Sequence, residues 1–263
     1  MTYIKSIDYQ RYKMWKKLLT KKGREDQGAF LVEGEHLVQE VLTAKWPVKA
    51  LIFAKDYPSV DRWLDRYEAS VSRHFILPPP LFNALSETKT PQGIAAVVQK
   101  RSFLSAEKII RQSRLLLLVD RVRDPGNLGT ILRTADAAGV DAVFLGKGTV
   151  DPYSGKVMRS TQGSLFHVPF FEADLLDVTA SIQAQGGMVI GTQPSAAVDY
   201  RRLPIFADQC AALIVGNEGA GVHPDLLHKV DVNISIPIWG QAESLNVAVA
   251  TGIILYHIQS ERH

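Results

Sequence analysis

The chain has 263 residues, 46% of them hydrophobic and 22% charged, with a formal net charge of +3, an ordinary balance for a globular protein with a sizeable core. No apolar run approaches the roughly 18 residues of a membrane span, and the first ten residues lack the apolar core of a secretory signal, so neither membrane insertion nor export is expected. The one cysteine, Cys210, rules out an intrachain disulfide and reads as core packing in the apolar stretch 210–215, which suits a reducing cytoplasm.

Residues 1–100 read as one α/β stretch. Asp8 is a good cap for a helix running to about residue 19. The segment 21–28, Lys-Lys-Gly-Arg-Glu-Asp-Gln-Gly, reads as a turn. Then follow a strand at 29–32, a helix at 35–43, a strand at 48–54, a helix near 60–68 and a strand at 74–77. A helix after Pro78-Pro79-Pro80 and a strand at 94–98 complete it. Residues 1–25 hold eight basic side chains against two acidic ones, so the rest of the chain is net acidic. Lys16, Lys17, Lys21, Lys22 and Arg24 are either a solvated helix face or contacts to a polyanion. Tyr9, Tyr12 and Trp15 lie among them, where aromatic rings could stack on bases.

Residues 101–113 read as a connecting helix. Beyond it, apolar runs at 115–119, 142–145, 188–191, 211–215 and 232–236 alternate with helical patterns at 127–138, 155–163, 174–185 and 244–259. Near-continuous apolar strands separated by helices indicate a parallel sheet covered on both faces. Such sheets bind ligands outside the carboxyl ends of their strands, so the segments following each strand are the places to look for chemistry.

Three of these segments stand out. After the strand at 115–119, Asp124-Pro125-Gly126 is a turn and Asn127 a helix cap, with Leu128, Ile131, Leu132 and Ala135 forming an apolar stripe. Arg133 falls on the far side of that stripe, either solvated or placed to clamp a phosphate. After the strand at 211–215 comes Gly216-Asn217-Glu218-Gly219-Ala220-Gly221. Its glycine spacing is not that of a dinucleotide fingerprint, and Glu218 would repel a pyrophosphate. The loop is either a plain turn or a close backbone approach to a ligand without phosphate, such as S-adenosylmethionine. After the strand at 232–236, Ser244 reads as the cap of the last helix. Asn246 then lies in an apolar start, as a structural bridge or a ligand contact.

Taken together, Asn127 with Arg133-Thr134-Ala135-Asp136-Ala137, Gly216-Asn217-Glu218-Gly219, and Ile236-Pro237 with Gly240 and Ser244-Leu245-Asn246-Val247 resemble the three motifs of the SpoU (TrmH-like) branch of the SPOUT RNA methyltransferases. Asp151 through Ser160 also looks like this family, and Phe30-Leu31-Val32-Glu33-Gly34 is similar to the ribosomal-protein-like RNA-binding domain of its rRNA-modifying members. Ile238-Trp239 departs from the methionine common after Ile-Pro.

The resemblance implies an α/β RNA substrate-binding domain at 1–100, a linker at 101–113 and an α/β SPOUT domain at 114–263 with a parallel sheet and a C-terminal trefoil knot. It also implies a homodimer through the C-terminal domain and methylation of a ribose 2′-hydroxyl with S-adenosylmethionine as cofactor. Gly216, Asn217, Gly219, Ile236 and Leu245 would then hold the cofactor, with Thr192 as a further pocket wall. The family assigns activation of the hydroxyl to the arginine at Arg133. A guanidinium keeps its proton at ordinary pH, so a role in orienting the phosphate and stabilising the developing alkoxide is physically sounder. Asn127, Glu218, Ser244 and Asn246 would position the ribose and Arg133. RNA, with rRNA ahead of tRNA, is the expected partner; no membrane or metal is expected. A dinucleotide-dependent oxidoreductase and a non-catalytic RNA-binding protein are the competing readings. The first lacks its fingerprint, and the intact motif side chains speak against the second.

Overall fold

The computed structural model describes residues 2–6, 9–67, 71, 73–101, 103, 105–204 and 208–262. The cap expected at Asp8 and the helix end expected at Glu68 lie outside them. By packing, the chain divides into two units: Met1–Ser102 with Tyr153–Phe166, and Phe103–Pro152 with His167–His263.

The first unit contains, in order, β1 (Thr2–Tyr3), α1 (Gln10–Lys17), α2 (Lys21–Gln27), β2 (Ala29–Glu33), α3 (Glu35–Thr43), β3 (Val48–Ala54), α4 (Val60–Tyr67), β4 (His74–Leu77), α5 (Pro79–Leu85) and β5 (Ile94–Gln99). The sheet runs β1-β4-β3-β5-β2. Its first three strands are parallel, while β5 is antiparallel to both β3 and β2. Leu51, Ile52 and Phe53 of β3 are fully buried, as a strand covered on both faces requires. Helix α3 turns Leu37, Val38 and Val41 inward.

Two expectations for the amino-terminal region are corrected. Segment 21–28 is a helix, not a turn. The Thr20 side chain accepts the Gly23 N–H at 3.1 Å and Gly28, at φ +56°, closes the other end. Gly23 makes this possible, because any Cβ there would collide with the Lys17 carbonyl. Tyr12 and Trp15 are core residues and not stacking surfaces. Trp15 packs edge-to-face on Phe75 at 4.9 Å, and the Tyr12 hydroxyl donates to the Leu81 carbonyl.

The second unit holds α6 (Ala106–Gln112), β6 (Leu115–Val119), α7 (Pro125–Ala137) and β7 (Ala142–Gly146). The chain next contributes α8 (Gly155–Thr161) to the first unit, where the Tyr153 ring lies 4.6 Å from Phe30 and the Trp46 indole N–H donates to the Phe166 carbonyl at 3.0 Å. It then completes the second unit with β8 (Phe170–Ala173), α9 (Leu175–Ala184), β9 (Met188–Thr192), β10 (Val198–Asp199), β11 (Ala211–Val215), α10 (Pro224–Leu227), β12 (Val232–Ser235) and α11 (Val247–Ser260).

All seven strands of this second sheet are parallel, in the order β10-β12-β9-β11-β6-β7-β8. Alternate residues Leu116, Leu118, Phe144, Ala212 and Ile214 pack with Ile110 of α6 and Leu175, Val178 and Ile182 of α9. Helix α11 lies against both β11 and α7. Strands β8 and β10 were not expected from sequence. Both sit at sheet edges, where half-exposed side chains blur the apolar signal. Burial pushes the Cys210 thiol up to about 11, as a packing role requires.

Two helix caps also differ from expectation. Asp124, not Asn127, caps α7, its carboxylate accepting the Asn127 N–H at 2.9 Å, with Pro125 at the first helical position. Asn246, not Ser244, caps α11, accepting the Ala248 and Val249 N–H groups. No described helix is long and apolar enough to cross a membrane.

Candidate active site

Strands β12, β9, β11 and β6 are consecutive neighbours in the parallel sheet. Their carboxyl ends therefore set Ile236, Thr192, Gly216 and Asp120 in a row along one edge, and the loops that follow them meet there.

Glu218 is where two of these loops join. One carboxylate oxygen accepts the Asp124 N–H at 3.0 Å and the Asn127 amide at 3.1 Å. The other accepts the Arg123 N–H at 3.3 Å and the Asn217 amide at 3.2 Å. Partial burial pulls this carboxyl up, but the hydrogen bonds from Asn127, Asp124 and Arg123 outweigh it, and the net displacement is downward. Glu218 is thus a fixed anion. The third loop joins through Asn246, whose amide donates to the Asn127 side-chain oxygen at 2.9 Å. One chain of contacts, Asn246–Asn127–Glu218, ties all three motif segments together.

The glycine loop is shaped from within. Asn217 and Gly221 exchange both backbone hydrogen bonds, and the Asn217 side-chain oxygen accepts the N–H groups of Gly219 and Ala220, each at 3.0 Å. The N–H groups that a phosphate-binding loop would offer are therefore already used. A Cβ on Gly216 would collide with the backbone of Gly221 and Val222, so glycine is required there by the loop's own return. Sequence reasoning missed the brace beneath it. Asp120, 5% exposed, pairs with the Arg121 guanidinium at 3.1 Å and accepts the His223 N–H at 2.8 Å. Asn217 in turn donates to the Arg121 carbonyl at 2.9 Å. A polar pair directly after a buried strand, at the sheet's ligand-binding edge, was the available signal.

Thr192 ends β9 with its hydroxyl committed to the Ile214 carbonyl at 2.9 Å. Ile236 is half-buried, while Gly219, Ser244 and Leu245 are exposed. Arg133 is exposed on α7, and no side-chain hydrogen bond or ion pair engages it among the described residues. The basic candidates belong to the other unit. Lys16, Lys17, Lys21 and Lys22 are exposed there, Lys16 donating to the Ala84 carbonyl and Lys21 lying 3.7 Å from Glu25. Arg24 is corrected: it is 5% exposed and donates to the Leu18 carbonyl at 2.8 Å, a structural contact inside the unit.

Residues 114–256 match the model of the SpoU rRNA Methylase family, and residues 10–96 match the MRM3-like substrate binding domain. The chain belongs to the SpoU rRNA methylase family. Among its relatives is the 23S rRNA (guanosine(2553)-2′-O)-methyltransferase RlmP of Bacillus subtilis, 45% identical over 98% of this chain and 100% of that protein. An AdoMet-bound rRNA methyltransferase from Sinorhizobium meliloti superposes with a TM-score of 0.88 at 32% identity, covering 99% of this chain and 98% of that one. The SpoU methyltransferase AviRb from Streptomyces viridochromogenes, in complex with AdoMet, superposes at 0.85 with 29% identity over 96% and 98%. The family expected from the three motifs is thereby confirmed, and with it the α/β architecture with a parallel sheet.

Proposed function

We propose that the protein methylates a ribose 2′-hydroxyl of 23S rRNA, using S-adenosylmethionine. The observation that carries this reading is the Asn246–Asn127–Glu218 chain, which draws three strand-end loops into one site. The residues fit the cofactor. Half-buried Ile236 and Ile238 and exposed Leu245 offer apolar surface for an adenosyl group. Glu218 is a fixed carboxylate suited to a cationic ligand, and the loop's N–H groups are spent, leaving no phosphate cradle. When bound, the cofactor supplies an electrophilic methyl group.

The chain's own residues then have separable tasks. Arg133, free of internal partners among the described residues, orients the target phosphate and stabilises the developing alkoxide, while the hydroxyl proton passes to that phosphate or to a water. Asn127, Glu218, Ser244 and Asn246 hold the ribose and the Arg133 helix in register, with Gly216, Asn217, Gly219, Ile236, Leu245 and Thr192 around the cofactor. Lys16, Lys17, Lys21 and Lys22 meet the RNA backbone. The insertion of β11 between β9 and β6, with α11 returning onto α7, supports the C-terminal knot typical of such folds. Val249 and Tyr256, both more than half exposed, and half-buried Ile253 share one face of α11, and they support homodimerisation through this unit, in the cytoplasm where rRNA is made.

The deciding experiment maps 2′-O-methyl groups in total RNA from cells with and without the gene, starting at the 23S guanosine that names the B. subtilis relative. Loss of one ribose methylation in 23S rRNA is expected; an unchanged map refutes the activity. Dimerisation is checked separately by light scattering, where Val249→Glu with Tyr256→Glu should halve the mass.

A further inference from the structure

The indole of Trp239 is 87% exposed, an unusual position for the largest aromatic side chain, whose burial commonly removes about 150–250 Å² from water. It stands in the loop that follows β12. The neighbouring strand β10, paired with β12 through Asp199↔Ser235, delivers the turn Tyr200–Arg202 to the same edge. The Arg201 guanidinium lies 5.9 Å from the centre of the Trp239 ring. That guanidinium is held in place, because both oxygens of Asp199 accept from it, at 3.0 Å for the nearer Nε contact. The turn itself is braced on α11, where the Tyr200 and His257 rings meet edge-to-face at 5.1 Å. Arg202 adds a second exposed cation. An indole beside a fixed guanidinium, with one broad face open at the carboxyl edge of the sheet, matches the chemistry by which proteins hold unstacked bases.

We propose that Trp239, supported by Arg201, is a stacking platform for a nucleobase of the RNA substrate; the inference rests on the methyltransferase reading above and adds a residue that sets how the substrate is seated. Arg202, exposed beside the platform, argues for RNA over a second copy of the chain, since a stacked base brings its own phosphate to a neighbouring cation.

The test uses the full-length protein and a 23S rRNA transcript. The other three tryptophans, Trp15, Trp46 and Trp63, are buried, so acrylamide quenching of the accessible indole emission reports Trp239. The transcript should shield that emission in the wild type, and Trp239→Ala should remove the shielded component. The same variant should raise the KM for RNA by about 5- to 150-fold, the usual range for one base-stacking contact. Its KM for S-adenosylmethionine should stay unchanged, and Trp239→Phe should recover part of the loss. An unchanged RNA KM, an effect confined to the cofactor KM, or a dimer that falls apart while RNA binding persists would each overturn the proposal. A wild-type protein that transfers no methyl group to ribose would instead defeat the underlying activity.

Discussion

The amide of Asn246 donates to the side-chain oxygen of Asn127 at 2.9 Å, across 119 residues of chain. The same Asn246 caps the last helix through its oxygen, accepting from Ala248 and Val249. One side chain thus closes a helix with its acceptor and ties down a neighbouring motif with its donor.

These two tasks can be separated. Asn246→Asp keeps the acceptor and removes the donor, so thermal stability should stay within about 1 kcal/mol of wild type. Methyl transfer should fall about two- to tenfold, since a neutral amide–amide hydrogen bond is worth about 0.5–1.5 kcal/mol. Asn246→Ala should lose both stability and activity. Wild-type turnover in the aspartate variant would show that the Asn127 contact is dispensable.

Glu218 makes stability depend on pH in a definite direction. Its folded carboxyl titrates below its ordinary value, so its contribution is present above the usual carboxylate range and is lost as pH falls through the depressed value. Comparing melting temperatures of wild type and Glu218→Gln across pH, the wild type should lead near neutrality and the gap should close in acid. A gap that widens toward acid would contradict the assignment.

Gly216 and Gly240 make a matched pair. Alanine at Gly216 meets the Gly221–Val222 backbone, whereas nothing lies within 4 Å of a Cβ at Gly240. Gly216→Ala should cost at least about 2 kcal/mol and abolish S-adenosylmethionine binding by calorimetry. Gly240→Ala should leave stability unaltered.

Arg133→Ala should abolish methyl transfer while the calorimetric affinity for the cofactor survives. Arg133→Lys should also be poor, because an ammonium cannot grip a phosphate with a planar fork. Full activity in the alanine variant would remove Arg133 from the mechanism.

Much of this site was legible in the sequence because parallel strands announce themselves. The run Leu115–Val119 is buried throughout, and the segments after such strands could be located before any coordinates. Helix α3 was found to the residue, since Leu37, Val38 and Val41 carry a clear helical period. What escaped was decided by local polar chemistry. Segment 21–28 has no apolar stripe, and its helix rests on the Thr20 cap and the left-handed Gly28. Helix α7 starts at Asp124-Pro125, cap followed by proline, a start signal that competes in the sequence with Asn127 three residues on. Ser244 drew attention from Asn246 because both residue types cap helices, and only the fold shows which one points its side chain at the free N–H groups. Tyr12 and Trp15 looked like base-stacking partners among lysines, yet the partners that bury them, Leu81 and Phe75, come from sequence some 60 residues away and could not be read locally.

Helix α8 has a consequence for how the polypeptide is made. The first unit borrows Tyr153–Phe166, with Tyr153 on Phe30 and Phe166 against Trp46. On the ribosome, when its hundredth residue emerges, the faces of Phe30 and Trp46 that meet Tyr153 and Phe166 lack their cover until that later segment is translated. Cutting the gene after residue 100 should accordingly yield a sticky fragment, and supplying 153–166 on a short tether should restore its solubility.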